Sequence, residues 1–319
     1  MTMKIVRFDD IKGLDIKPTT CLEWVKEAFS IKKDSELPPK SSVHPIGIDF
    51  YTSMPCLLPS SYDKYCLKLV HRINGAIPAL GSDILVYETS TGKLLALMDC
   101  DWITAMRTGA VATYAAQLFR KTGDLTYGII GLGNTARATL LCMLESEPNI
   151  EHKVLLHEYK DYASDFMNRF ASYKNVEFMT TSSMEEIVRH SDVLFSCITQ
   201  AEGLICENND CFQPGCLIVP VHTRGFTNCD LFFDKVFADD TGHVKGFKYF
   251  NRFHSFAELQ DVVSGVAKGR ENDEERILSY NVGIALHDAL FAAKIWDKLS
   301  QSTELQTIEM PKQISKFWI

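Results

Sequence analysis

The stretch Tyr127-Gly128-Ile129-Ile130-Gly131-Leu132-Gly133-Asn134-Thr135-Ala136 decides the fold. A short apolar run of buried-strand character enters a G-x-G-x-x-A turn, and the turn opens a segment of helical spacing, Ala136 to Glu145. Strand, glycine turn and helix in that order are what a dinucleotide fold requires. Gly131 permits the tight turn, Gly133 lets the backbone approach a pyrophosphate whose charge sits at the helix N-terminus, and Ala136 lets the helix lie close on the sheet. Glu158 ends the next strand-like run, Val154–His157. A carboxylate there accepts from adenosine ribose hydroxyls and repels a 2′-phosphate, which favours NAD over NADP, with Lys160 as a partial offset.

Working outward, the same alternation continues towards the C-terminus. Val176–Met179, Val193–Cys197, Leu217–Val221 and Val236–Ala238 read as strands, and Met184–Arg189 as a helix. Such alternation predicts an α/β domain with a doubly wound parallel sheet. Before residue 123 the pattern differs. A helix is expected over Thr20–Lys33, a hairpin from Asp83–Tyr87 and Leu94–Met98 around Ser90-Thr91-Gly92, and a small-residue helix from Ile103 to Phe119. A last long helix is expected over Val282–Lys298, followed by a tail from Met310.

The chain has 319 residues, 46% hydrophobic and 23% charged, with 33 basic against 41 acidic residues and a net charge of −8. That length suits about two domains. The acidity argues against nucleic acid or an anionic membrane as partner, because both need a basic footprint. No apolar run approaches the roughly 20 residues of a membrane span, and the opening MTMKIVRFDD does not read as a secretory signal. Ten scattered cysteines, most inside apolar runs, read as reduced core thiols of a cytoplasmic protein. Cys206, Cys211, Cys216 and Cys229 suggest a metal site, but zinc ligands pair more tightly, and no metal is expected.

Two cations stand out. Arg107, followed by Thr108, falls early in the small-residue helix; a substrate carboxylate would answer a guanidinium there bidentately. Lys68 interrupts the apolar run Cys66-Leu67-Lys68-Leu69-Val70 and suits acid–base work or carboxylate binding. An internal salt bridge is the plainer reading of each. His222 is a candidate base, though a lone loop histidine is more often structural. The basic-aromatic run Lys245–His254 reads as packing near an active-site mouth rather than a nucleic-acid surface.

Met54-Pro55, the Lys68 strand, Ala96-Leu97-Met98-Asp99, Ala105-Met106-Arg107-Thr108-Gly109-Ala110, the glycine turn, Val236-Phe237-Ala238-Asp239-Asp240, Gly269-Arg270, Glu274-Glu275, Asn281-Val282-Gly283-Ile284-Ala285 and Asp288 together resemble the ornithine cyclodeaminase/μ-crystallin family over about residues 37–294. The resemblance implies a Rossmann domain, 123–288, inserted in a smaller α+β substrate-binding and dimerisation domain, 1–122 plus 289–319, in a homodimer. It implies NAD-dependent chemistry at the C–N bond of a small amino or imino acid. Lys68 and Arg107 would be catalytic and hold the substrate carboxylate, with Lys40 in the place of a second arginine. Thr108, Asn134, Thr135, Ala136, Thr199, Val221 and Asn281 would line the cofactor beside Gly131, Gly133 and Glu158. Ornithine cyclodeaminases carry an aspartate after the fifth Rossmann strand; this chain has Arg224 there, which would repel a distal ammonium and suit a second carboxylate. That departure favours an amino acid dehydrogenase or imine reductase over ornithine cyclisation, and the presence of Lys68, Arg107 and Thr108 favours an enzyme over a non-catalytic ligand-binding protein.

Overall fold

A computed structural model describes residues 2–309, 311 and 313–319. The chain divides into two compact units: Met1–Ile16, Ile31–Thr104 and Ile284–Ile319 form the first, and Lys17–Ser30 with Ala105–Gly283 the second. The changeovers fall after Ile16, Ser30, Thr104 and Gly283, whereas the sequence reading divides the chain at 122/123 and 288/289. The early helix, Pro18–Ile31, goes almost entirely with the second unit.

In the first unit, β1 (Thr2–Val6), β2 (Ser41–Val43), β3 (Phe50–Leu57), β4 (Lys64–Arg72), β5 (Leu80–Glu88) and β6 (Lys93–Asp99) build a mixed sheet, closed by a strand near the C-terminus, Thr307–Glu309. Its order is Thr307–Glu309, β1, β6, β5, β4, β3, β2, antiparallel except for β1 against β6. Register puts Met54, Lys68, Ile84 and Met98 in one row and Cys56, Cys66, Val86 and Ala96 in the next. All eight are buried, on the face that meets the helix Ala285–Leu299, where the Cys66 thiol reaches the Ala289 carbonyl. The predicted hairpin is β5–β6. The sequence reading did not find β1, β2, β3 or the strand 307–309; the last pairs with β1 across almost the whole chain. Of the predicted tail, Met310 and Lys312 lie outside the described residues.

In the second unit, β7 (Thr126–Ile130), β8 (His152–His157), β9 (Val176–Thr181), β10 (Val193–Ser196), β11 (Leu217–Pro220), β12 (Lys235–Ala238), β13 (Phe256–Glu258) and β14 (Ile277–Tyr280) form an eight-stranded sheet in which every pairing is parallel. The order β13-β12-β14-β11-β10-β7-β8-β9 reverses direction of winding at β7/β10, the doubly wound arrangement expected. β10, β11, β12 and β14 are buried at every position, as parallel strands covered on both faces must be. The unanticipated β14 enters between β11 and β12.

The small-residue helix, Asp101–Phe119, owes its composition to packing. A Cβ on Gly109 would lie 2.5 Å from the backbone of Ala138 and Thr139, so the helix touches Asn134–Ser146 backbone to backbone, and Thr113 donates to the Thr139 carbonyl at 3.0 Å. Its C-terminal end is held by Arg270, which donates to the carbonyls of Phe119, Gly215 and Glu275. Cys206, Cys211, Cys216 and Cys229 lie in one apolar cluster with Phe212, Phe226 and Phe233, and no group of His, Cys, Asp or Glu among the described residues is arranged to hold a metal ion.

Candidate functional site

The glycine turn follows β7 directly. Gly131 takes φ +82, and a Cβ on it would lie 2.7–2.8 Å from the backbone of Cys197 after β10, so the turn sits at the reversal point of the sheet and admits only glycine. A Cβ on Gly133 would meet nothing within 4 Å, and Gly133 gives the helix Asn134–Ser146 no side-chain cap. An open cradle before uncapped N–H donors fits a pyrophosphate. Glu158 is exposed immediately after β8, its N–H on the Thr181 carbonyl. A second fit comes from Asn281, 1% exposed after β14: its N–H donates to Pro220 and its Oδ1 accepts from Ser279, while Nδ2 has no partner among the described residues. A buried orphan donor at the C-terminal end of a central strand is suited to a polar group of a bound dinucleotide.

Lys68 is 1% exposed inside its apolar row. Its Nζ donates to Asp288 Oδ1 at 2.8 Å and to Thr104 Oγ1 at 2.6 Å. Thr104 Oγ1 in turn donates to the Cys100 carbonyl and lies 2.9 Å from Ser82 Oγ. Two of the ammonium's three donors are thus committed. Asp288, fully buried in Ala285–Leu299, is the residue sequence reasoning missed: it was read as a family marker, not as the partner of Lys68. The signal was present, since a lone acid in the apolar run Ala285-Leu286-His287-Asp288-Ala289-Leu290 needs a cation. Lys40 is half-buried one residue before the Ser41–Ser53 pair, and Met54 beside Ser53 pairs with Lys68.

Arg107 is also buried, on the helix that Gly109 docks against Asn134–Ser146. Thr108 is buried beside it. Together with Asn134, Thr135 and Ala136 these two residues belong to one packed pair of helices, so Arg107 and Thr108 share their support with the phosphate turn.

His222, after β11, is pushed down to about 4 by burial and by the Arg224 charge. Its Nδ1 accepts the Arg224 N–H at 3.2 Å, so Nε2 carries the proton and donates to Ser196 Oγ at 2.8 Å. Both nitrogens are engaged, which fits the structural reading. Arg224 is exposed, and its Nη1 donates to the carbonyl of Thr199, itself exposed after β10. Within Lys245–His254 the phenylalanines pack inward, Phe250 against Phe253 and Phe256, while Lys248 and Arg252 lie over the Tyr249 ring.

The sequence pattern of the ornithine cyclodeaminase/mu-crystallin family matches residues 9–303. The chain belongs to this family. Among its relatives, N-((2S)-2-amino-2-carboxyethyl)-L-glutamate dehydrogenase of Staphylococcus aureus is 27% identical over 267 residues, 79% of this chain and 76% of that protein. A Δ1-pyrroline-2-carboxylate reductase of Bacillus cereus is 28% identical over 67% of this chain and 70% of its own. The solved Δ1-pyrroline-2-carboxylate reductase of Thermococcus litoralis, in complex with NADH and L-proline, superposes with a TM-score of 0.81 at 25% identity, covering 93% of this chain and 97% of that one. Membership in the ornithine cyclodeaminase/mu-crystallin family accounts for the joint presence of the glycine turn, the Lys68 strand and the Arg107 helix. No helix among the described residues is long and apolar enough to cross a membrane.

Proposed function

We propose that the chain is an NAD-dependent oxidoreductase acting on the C–N bond of a small amino or imino acid, as an amino acid dehydrogenase or imine reductase. The carrying observation is the Gly109 contact: the helix bearing Arg107 lies backbone to backbone on the helix whose N-terminus fits a pyrophosphate. A carboxylate-binding cation is thereby fixed relative to the dinucleotide turn. Holding reactants in such fixed geometry lowers a barrier by several kcal/mol.

When bound, the nicotinamide would exchange a hydride with the carbon that bears nitrogen. The chain's own residues do the rest. Arg107 and Lys68, with Lys40, neutralise and orient the substrate carboxylate. Lys68 keeps one donor beyond those given to Asp288 and Thr104, and hands or receives the proton at the substrate nitrogen, directly or through water. Thr108, Asn134, Thr135 and Ala136 support the phosphates. Thr199 lies on the nicotinamide side, and Val221 and Asn281 line the cofactor. Glu158 selects NAD over NADP. The bond to Thr199 uses one of Arg224's five donors, and the others suit a second carboxylate, the class to which the glutamate derivative named for the Staphylococcus aureus relative belongs. Val43, Ile46, Tyr51 and Leu69 are exposed apolar residues on and beside β2–β4, which supports a homodimer through this sheet. Nine of the ten free cysteines are buried, and a reducing cytoplasm suits them.

The test is turnover by purified protein with NADH or NAD⁺ against cyclic imines, amino acids, N-carboxyalkyl amino acids and ornithine. NADH consumed with Δ1-pyrroline-2-carboxylate, or formed with an amino acid, supports the reading. Proline and ammonia from ornithine without net NADH change would replace it with the cyclodeaminase reading. Tight NADH binding with no turnover would replace it with a ligand-binding protein.

A further inference from the structure

Between β14 and the helix Ala285–Leu299, Gly283 takes φ +86. A Cβ built on it would stand 2.0 Å from Arg107 Nη1, 2.9 Å from Cζ and 3.0 Å from Nη2. All three of its nearest neighbours are guanidinium atoms, so the buried guanidinium rests on the bare Cα of Gly283. The Gly283 N–H donates to Asp239 Oδ2 at 2.5 Å. Asp239 is fully buried; its own N–H donates to the Tyr280 carbonyl, and its Oδ1 lies 3.3 Å from His243 Nδ1. The carboxylate therefore straps the 281–283 turn to the end of β12, and the guanidinium lies where a side chain on the glycine would stand.

We propose that Gly283 and Asp239 are positioning residues for Arg107: the glycine leaves the space in which the guanidinium lies, and the Asp239 carboxylate fixes the glycine's peptide so that this space keeps its shape. The inference rests on Arg107 as the ligand of the substrate carboxylate and adds what holds it. It gives the Val236–Asp240 and Asn281–Ala285 motifs a common purpose, since each supplies one half of the support. A methyl at 283 meets the end of a flexible side chain rather than backbone, so beyond the strain of any side chain at this φ it acts by moving Arg107.

Gly283→Ala and Asp239→Ala test this, with Gly265→Ala as the control for backbone strain, because Gly265 takes φ +74 and its Cβ would meet nothing within 4 Å. With Δ1-pyrroline-2-carboxylate as probe, Gly283→Ala should raise KM tenfold or more, with a smaller change in kcat and NADH Kd within twofold; Gly265→Ala should change none of these. In an Arg107→Ala background, Gly283→Ala should cost less than threefold further, because the group it displaces is gone. Asp239→Asn, which keeps an acceptor for the Gly283 N–H, should retain more of the KM than Asp239→Ala. Fully additive losses, or an equal fall in NADH affinity, would overturn the proposal. If wild-type protein turns over none of the probes, the oxidoreductase reading fails on its own. The double-mutant cycle is then read in melting temperature: coupling between 107 and 283 upholds the support, and strict additivity refutes it.

Discussion

The two units bury acid groups in opposite ways. In the mixed-sheet unit, Asp288 lies against the Lys68 ammonium at 2.8 Å, both groups essentially without solvent contact. In the parallel-sheet unit, Asp230 is just as hidden, yet its one partner among the described residues is the Tyr280 hydroxyl, which donates to Oδ1 at 2.8 Å, while Oδ2 has none. Burial pushes the Asp230 carboxyl up to about 6. A fully buried charge opposite a fixed countercharge is a device for holding that countercharge in place. A fully buried acid opposite a neutral phenol is a cost that varies with pH. Buried polarity alone therefore does not mark a site; what faces it does.

The sharpest way to break this comparison is to remove the paired acid. Asp288→Ala leaves an ammonium in an apolar row beside Met54, Ile84 and Met98, and should destabilise the protein by about 3–5 kcal/mol in denaturant unfolding. A loss below about 1 kcal/mol would mean that Thr104 and neighbouring carbonyls suffice for Lys68, and that the ion pair is not what distinguishes the two regions.

The next effect concerns the cation of the other unit. Arg107→Ala should lower kcat/KM at least about a hundredfold, or about 2.7 kcal/mol of transition-state stabilisation, with NADH Kd unchanged. Near wild-type turnover would remove Arg107 from the substrate site. Parallel loss of NADH binding would show that the guanidinium supports the glycine turn instead.

How far the sequence could carry these contrasts follows from the range of each interaction. β10, β11 and β12 are legible because both of their faces are covered, which leaves short apolar runs such as Val193–Ser196 that announce themselves locally. The glycine turn was legible because its three small residues answer steric demands within six positions. β14 is not, because Ile277–Tyr280 is interrupted by Ser279 and directly follows the charged run Arg270–Arg276. Lys68 and Asp288 are separated by 220 residues, and no local pattern encodes a pairing over that distance. The same holds for Arg107 and Gly283, each flagged alone and joined only by the fold. The placement of Pro18–Ile31 with the parallel-sheet unit has the same cause: its apolar stripe was plain, but nothing in it names the surface it covers, which includes Tyr114 against Phe29.

The smallest and most discriminating effect is the pH dependence of Asp230. Its folded value of about 6 stands above the 3.8 of an unperturbed side chain, so between these values the folded protein holds a proton that the unfolded chain has released. Its contribution is therefore favourable at low pH and is lost as pH rises from about 4 to about 6, remaining unfavourable above. Asp230→Asn keeps an acceptor for Tyr280 and discards the charge. It should match wild type near pH 4 and gain on the order of 1–3 kcal/mol by pH 8. His222 produces the opposite slope over the same window. Its folded value of about 4 lies below 6.5, so its stabilising contribution is complete above pH 6.5 and is lost as pH falls towards 4. The two slopes oppose each other in wild type, so its stability curve should look flatter than either alone. Asp230→Asn removes one slope and exposes the histidine's, making unfolding steeper on the acid side. Denaturant unfolding of both proteins at pH 4, 5, 6 and 8 checks it. Parallel curves would mean that Asp230 stays ionised in the folded protein and that its contrast with Asp288 is one of partners only, not of charge.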